Sequence, residues 1–333
     1  MTLEERIILF STLGERLREE SNQDMLLNWA SQARNQNGWF TEDNVLLAIK
    51  YISEEYLQKK NLQKLAEGIS PHTTPKKIGI VAAGNIPMVG FHDLLCVIMT
   101  GNIALFKASS TDAALMTNVI RLIFEINPKS KDFIILADRL NDADAYIATG
   151  SDNTARYFHY YFGQKPHIIR KNRSSVAILK GNETNADLRE LGNDIFRYFG
   201  LGCRNVSKVF VPENYVFDTF FQQIEYWNTI LIHHKYSNNY DYNKSILLIN
   251  QVPHLDNGFL MVKEDQNLVS PLSVLHYETY KNEEDLTQKL NENAHKLQCI
   301  VGYGHIGFGQ SQKPSITDYA DGIDTIDFLN SLH

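Results

Sequence analysis

The chain has 333 residues, 43% hydrophobic and 21% charged, a length and balance that suit two soluble cores better than one. Its 39 Asp and Glu exceed its 32 Lys and Arg, and a formal charge of -7 argues against nucleic acid or an anionic membrane surface as the main partner. No apolar run reaches the roughly 18 residues that span a bilayer. The acidic opening "MTLEERIILF" lacks the positive charge of an export signal, and Cys96, Cys203 and Cys299 are too few and too far apart for a disulfide framework. A cytoplasmic protein is expected.

Residues 1 to 68 read as helical. Thr2 and Glu5 form a capping box, and Leu3, Ile7, Phe10, Leu13 and Leu17 recur at helical spacing. Thr41 is placed to cap a second amphipathic helix through "EDNVLLAIKYISEEYLQ". The breaker "ISPHTTPK" then opens an alternating region. There "KIGIVAAG", "NIALFKAS", "KDFIILA" and "ADAYIATGS" read as strands, and "FHDLLCVIMTG", "TDAALMTNVIRLIFEI" and "DNTARYFHYYF" as the helices between and after them. This rhythm predicts a largely parallel sheet covered on both faces. A further strand, "SVAILKG", leads through the helix "ADLRELGNDIFRYFG" to Cys203. Beyond "SKVFVP", the Tyr- and Asn-rich "HHKYSNNYDYNKS" reads as an irregular surface segment. Strands follow in "SILLIN", "GFLMVKE", "LSVLHYETY" and "QCIVGYG", with a helix in "NEEDLTQKLNENAHK".

Metal chemistry finds no support: the eleven histidines match no H-E-x-x-H pattern, and there is no C-x-x-C. Gly302, Gly304 and Gly307 spell G-x-G-x-x-G. However, the following "FGQSQKPS" has a proline and no helical period, so this match reads as a loop. Cys203 stands out among the cysteines. A glycine precedes it, Arg204 follows it and Lys208 is near, and cations lower a thiol's pKa. On residues alone, a buried structural cysteine remains open beside a nucleophile.

Four segments in order carry a resemblance: "AAGNIPMVG" (82–90), "TGNIALFKASS" (100–110), "ATGS" (148–151) and "GLGCRNVSKVFV" (200–211). Together they resemble the aldehyde dehydrogenase superfamily over roughly residues 75 to 330. With "FGQSQKPSITDYADGIDT" they are most similar to its fatty acyl-CoA reductase branch, the type found in bacterial luminescence. The resemblance implies an α/β, aldehyde-dehydrogenase-like fold. It would have N-terminal helices (1–70), a Rossmann-type parallel-sheet cofactor domain (71–185), an α/β catalytic domain (186–315) and a C-terminal segment returning to the core (316–333).

It also implies roles. Cys203 would take the acyl group as a thioester, and Asn85 would donate its side-chain N–H to the developing oxyanion. Lys107 would reach the adenosine ribose, with Ser109 and Ser110 beside it. Gly150 and Ser151 would cradle the pyrophosphate, and Asn267 would stand where the family has a glutamate for the nicotinamide ribose. Without the resemblance, Asn85 reads as a turn residue before Pro87, Lys107 as a strand-end charge and Ser151 as a simple N-cap.

Two departures from the hydrolytic members inform the reading. Residues 153–182 contain no Asp or Glu, so the base that would activate water is missing. In that region Arg170, Lys171 and Arg173 could attract an anionic carrier or form a solvated basic turn. Second, Ser110 replaces the acidic residue that NAD-preferring relatives often carry, which favours NADPH. The expected activity is NADPH-dependent reduction of an acyl-CoA, or another acyl thioester, to free aldehyde. An acyl-activating protein and a second copy of the chain are candidate partners. An acyl-phosphate reductase of the glutamyl phosphate type and a non-catalytic partner of an acyl-activating enzyme are the alternatives. The last draws on the chain's compactness and on Ala155 or Arg156 standing where the helix after "GSDNT" usually has glycine.

Overall fold

The computed structural model describes residues 1–72, 74–150 and 152–333, apart from the side chain of Asp152. It divides into two compact units, Met1–Asn172 with Pro314–His333, and Arg173–Lys313. Among the described residues no helix is long and apolar enough to cross a membrane.

The first unit begins with α1 (Leu3–Arg18), α2 (Gln23–Gln36), α3 (Glu42–Glu55) and α4 (Lys59–Ala66). At the start of α1 the Thr2 hydroxyl accepts from Glu5 N–H at 3.2 Å and the Glu5 carboxylate accepts from Thr2 N–H at 2.7 Å. Such caps satisfy otherwise orphaned donors and contribute about 1 kcal/mol each. Thr41 caps α3 in the same way, accepting from Asn44 N–H. Phe10, Leu13, Ala30, Phe40 and Ile49 on this helical layer are fully or almost fully buried, in one core with the sheet that follows.

That sheet is built from β1 (Lys77–Val81), β2 (Ile103–Lys107), β3 (Ile134–Leu136), β4 (Ala145–Thr149) and β5 (His167–Arg170). Between them run α5 (Phe91–Met99), α6 (Ala113–Ile126) and α7 (Asp152–Phe162). All neighbours are parallel, in the order β3-β2-β1-β4-β5. This is a doubly wound arrangement whose strand order reverses between β1 and β4. Helix α5 stops at Gly101, with φ +85°, where a Cβ would fall 2.1 Å from Arg6 Nη1.

Strand β5 lies where the sequence suggested a basic turn. Arg170 is 2% exposed and donates to Asp93 on α5 at 2.6 Å and to Thr325 Oγ1 at 3.0 Å. It is therefore a buried ion pair and not a solvated charge. Removing one partner from such a pair typically costs 3–5 kcal/mol. The last helix of the chain, Thr325–Asn330, packs Ile326 and Leu329 into this same core.

The second unit holds β6 (Ser174–Ile178), α8 (Asn185–Phe196), β7 (Val206–Pro212), α9 (Asp218–Ile224) and α10 (His234–Ile249). It continues with β8 (Leu255–Asp256), β9 (Met261–Glu264), β10 (Val274–Tyr280), α11 (Glu283–Asn293) and β11 (Leu297–Val301). Its sheet runs β11-β6-β7-β10-β9-β8, parallel except for the β8–β9 pair. Strand β6 hydrogen-bonds to β7 and β11, so the division falls at residue 172, ahead of the 185 expected from sequence.

Helix α10 corrects the reading of "HHKYSNNYDYNKS" as irregular and of "SILLIN" as a strand. Tyr236, Tyr240, Asn243 and Leu247 fall on one helical face and are buried there. The run "SILL" is the last stretch of that helix. The Gly302 to Gly307 segment is a turn after β11, without a helix behind it.

Candidate functional site

In the first unit the sequence-selected residues gather at the carboxyl ends of β1, β2 and β4, beside the point where strand order reverses. Open parallel sheets bind ligands there because the loops diverge and leave a crevice. Asn85 is exposed in the loop between β1 and α5. Lys107 ends β2, with an exposed side chain, and its carbonyl accepts from Ala82 N–H at 3.2 Å. Ser109 is half-buried, and its Oγ lies 2.9 Å from Thr111 Oγ1. Ser110 is exposed, and its carbonyl accepts from Gln36 Nε2 at 2.7 Å. Gly150 follows β4, its N–H reaching Arg170 O at 3.3 Å. Ser151 lies outside the described residues.

Gly84 has a steric reason to be glycine. A Cβ at that position would lie 2.2 Å from Thr111 Oγ1 and 2.4 Å from Ser109 Oγ. The loops after β1 and β2 therefore meet backbone against side chain. Gly84, Ser109, Ser110 and Gly150, with the exposed Lys107, are the residues at these strand ends that could hold a cofactor.

In the second unit, Cys203 is exposed while Cys96 and Cys299 are buried. Burial pushes the Cys299 thiol up to about 11 and holds Cys96 well above the ordinary thiol range, so neither is a ready nucleophile. Cys203 sits on a turn between α8 and β7 that Asn205 holds. The Asn205 Oδ1 accepts from Gly202 N–H at 2.8 Å, and its Nδ2 donates to the carbonyls of Asp194, Ile195 and Arg197. The chain enters through Tyr198, Phe199 and Gly200, three consecutive residues with φ of +51°, +58° and +77°. Left-handed backbone at two buried aromatic residues is unfavourable by itself and persists only where packing enforces it.

Ser175 Oγ donates to the Cys203 carbonyl at 2.9 Å and lies 2.9 Å from Cys299 Sγ. Asp194, fully buried, accepts from Gly309 N–H at 2.6 Å and from Ser311 N–H at 2.9 Å. Ser311 O in turn faces Arg204 Nη1 at 3.4 Å. The thiol thus stands on a turn held by the side chains of Asn205 and, from β6, Ser175, with Arg204 joining it to the backbone of the loop after β11.

A family model described as Acyl-CoA reductase (LuxC) matches residues 56–224, a span that includes Asn85, Lys107, Gly150 and Cys203. The chain belongs to this acyl-CoA reductase family. Among solved structures it is similar to aldehyde dehydrogenase 21 from Physcomitrella patens, solved with succinate, at 11% identity and a TM-score of 0.70, covering 100% of this chain and 84% of that one. It is also similar to an NAD-dependent aldehyde dehydrogenase from Sinorhizobium meliloti, at 12% identity and a TM-score of 0.69, covering 90% and 70%. An NADP dependent enzyme from E. coli matches at 12% identity and a TM-score of 0.66, covering 90% and 73%. A search of curated proteins finds no match. The family and the fold agree: this is an enzyme of the acyl-CoA reductase kind on an aldehyde-dehydrogenase fold.

One expectation for this acyl-CoA reductase changes on inspection of the second unit. Lys208 is fully buried, and its Nζ is bound to the Glu278 carboxylate and to Gln266 O, at 2.9 Å for the latter. Its charge is neutralised there, so it does not serve as a nearby cation for Cys203. What it holds is the segment carrying Asn267. Lys208, His276 and Ser207 bind three successive carbonyls, those of Gln266, Asn267 and Leu268. Burial lowers the His276 pKa and keeps the ring neutral, with Nδ1 facing the Asn267 carbonyl at 3.0 Å. Asn267 itself is exposed, and its backbone N–H and Nδ2 both donate to Asp265 Oδ1 at 2.9 Å. Burial works against ionisation of Asp265, but the Lys263 ammonium and the Asn267 N–H outweigh it and hold the carboxyl at about 2.

Sequence reasoning passed over Asn205, Asp194, Ser175, Thr111 and Asp112. Asn205 was the most accessible of these, since asparagine beside a glycine-flanked cysteine is a turn residue with a side chain suited to local backbone bonds. No pattern in the sequence marks Asp194 or Asp112 as buried.

Proposed function

We propose that this enzyme reduces an acyl-CoA, in particular a fatty acyl-CoA, to the free aldehyde with NADPH, through a thioester on Cys203. The exposure of Cys203 against the burial of the other two cysteines is the observation that carries this reading. In it, the first unit is the NADP-binding domain and the second the catalytic domain. The Cys203 thiolate attacks the acyl carbonyl, the carbon–sulfur bond to coenzyme A breaks, and the carrier leaves as a thiol after taking up a proton. Lys107, Ser109, Ser110 and Gly150 would hold NADPH, which would supply the hydride that turns the thioester into a hemithioacetal. Asn85 Nδ2 and the Cys203 backbone N–H stabilise the oxyanion, a contribution worth roughly 100- to 1000-fold in rate for one such donor. Collapse breaks the sulfur–carbon bond, releases the aldehyde and returns the thiolate.

Lys107, Ser109, Ser110 and Gly150 are assigned to the dinucleotide, with Ser151 and Asn267 completing the set. Lys107 and serines, without a carboxylate at position 110, favour a 2'-phosphate over a bare ribose. Ile178 is buried at the end of β6, and the 153–182 stretch without Asp or Glu leaves no base there to activate water against the thioester. Acyl-CoA is the acyl donor assigned here. A panel of acyl-CoAs and acyl phosphates with NADPH and NADH, read at the nicotinamide absorbance, tests the proposal. Oxidation of NADPH with acyl-CoAs is expected. Turnover of acyl phosphates alone would replace the donor, and turnover of neither would favour a non-catalytic partner.

A further inference from the structure

The loop that holds Lys107, Ser109 and Ser110 also reaches the segment that holds Asn85. Thr111 Oγ1 donates to Gly84 O at 2.9 Å, just before Asn85. Asp112 Oδ2 accepts from Met88 N–H at 2.8 Å, just after it. Met88 has φ +63°, a left-handed conformation that a side chain such as methionine's disfavours and that this hydrogen bond helps to keep. Asp112 stands at the N-cap of α6 but makes no side-chain cap bond to that helix. Gln36 Oε1 takes the place of the cap, accepting from Ala114 N–H at 2.8 Å, which leaves the Asp112 carboxyl for Met88. Asp112 is 2% exposed, and its Oδ1 has no partner. Burial, opposed only by the Met88 N–H, pushes its pKa up to about 8, so the group is neutral at pH 7 and tolerates an unpaired oxygen.

We propose that Thr111 and Asp112 are positioning residues that bracket Asn85 and tie its placement to the loop that carries the cofactor residues. The inference rests on the proposed role of Asn85 as oxyanion donor. Asp112 fixes the backbone three residues after Asn85 and Thr111 fixes the residue before it, so the Asn85 side chain starts from a defined frame. The two side chains that follow residues 107–110 thereby link that loop to the frame of Asn85. Gly84 is part of the device, because only glycine lets Thr111 and Ser109 approach its backbone this closely.

The test is a double-mutant cycle on the full-length protein with acyl-CoA and NADPH. Asp112→Ala is expected to lower kcat roughly 10- to 100-fold, the scale on which small misplacements act. The KM for NADPH should change much less, and Asp112→Asn, which keeps a neutral acceptor for Met88, should restore most of the rate. In the Asn85→Ala background, Asp112→Ala should cause little further loss. Thr111→Val, which removes only the Gly84 bond, enters the same cycle if Asp112→Ala does not fold. Additive losses, or an Asp112→Asn variant as slow as Asp112→Ala, would overturn the inference. Full turnover of Asn85→Ala would overturn the reading of Asn85 and this inference together. A slow Asn85→Ala beside unaffected Asp112 and Thr111 variants would overturn the inference alone.

Discussion

In the first unit Asp112 accepts one N–H, from Met88, and leaves its other oxygen without a partner. In the second unit Asp194 accepts two, from Gly309 and Ser311, one on each oxygen. Both carboxyls are buried, and burial raises both pKa values, but at Asp194 the bonds from Ser311 and Gly309 oppose that rise. The contrast shows two ways to hold a loop at a strand end. Each donated bond favours the charged form, so a carboxyl with both oxygens occupied resists ionisation less than one with a single donor. Ionisation of Asp112 therefore bears on the segment of Asn85, where a single N–H favours the charged form against two at Asp194.

The largest expected effect lies in the second unit. Cys203→Ala should lower acyl-dependent NADPH oxidation by about three orders of magnitude or more while the far-ultraviolet circular dichroism stays unchanged. Cys299→Ala should keep turnover within a few-fold, because its buried thiol takes no part. Near-normal activity of Cys203→Ala would remove the covalent step.

Next in size is the turn itself. Asn205→Ala loses one accepted and three donated bonds around a buried side chain, and roughly 2–4 kcal/mol of stability should go with them. The denaturant midpoint is the measurement, and a shift below about 1 kcal/mol would mean that the turn is held by packing alone.

A slope across pH, and not a single loss, is the effect that separates the two carboxyls. Asp112 has a folded pKa of about 8 against an ordinary value of 3.8. Between these values the folded state binds a proton that the unfolded state has lost, so Asp112 makes stability fall as pH rises and level off above about 8. The slope from one such group is at most about 1.4 kcal/mol per pH unit. Asp112→Asn should flatten the stability profile between pH 4 and 8, while the wild type and an Asp194→Asn variant should still show the fall. A wild-type profile indistinguishable from that of Asp112→Asn would show that the carboxyl ionises without cost.

Periodicity carried the first unit well, because its strands are short buried runs set between strongly amphipathic helices. It failed in α10, whose Tyr, Asn and Asp residues are weak helix formers and whose buried face is largely polar aromatic. It also missed β5, a strand of four residues directly after Pro166, where Arg170 suggested solvent and met Asp93 instead. At the candidate sites, the exposed Cys203 and the residues at the strand ends could be singled out in the sequence only through ordered motifs shared with a family. The roles of Asp112, Asp194 and Lys208 were not legible, since only tertiary packing decides that a charged side chain is buried and which backbone group it meets.

The first unit is closed by the far end of the chain. Ile316 O lies 2.8 Å from His92 Nε2, and Asn330 Oδ1 accepts from Ser70 N–H at 3.0 Å, across separations of 224 and 260 residues. Loop-closure entropy grows only with the logarithm of such a span, so the equilibrium penalty is modest. The kinetic consequence is larger, because the whole inserted unit must be synthesised before the last helix exists to reach its place. Until then Ile326 and Leu329 are missing from the core and Arg170 lacks its Thr325 partner, so the first unit waits on the ribosome as an incomplete fold. Completion of the first unit is thus a late step that follows synthesis of every residue between its two parts.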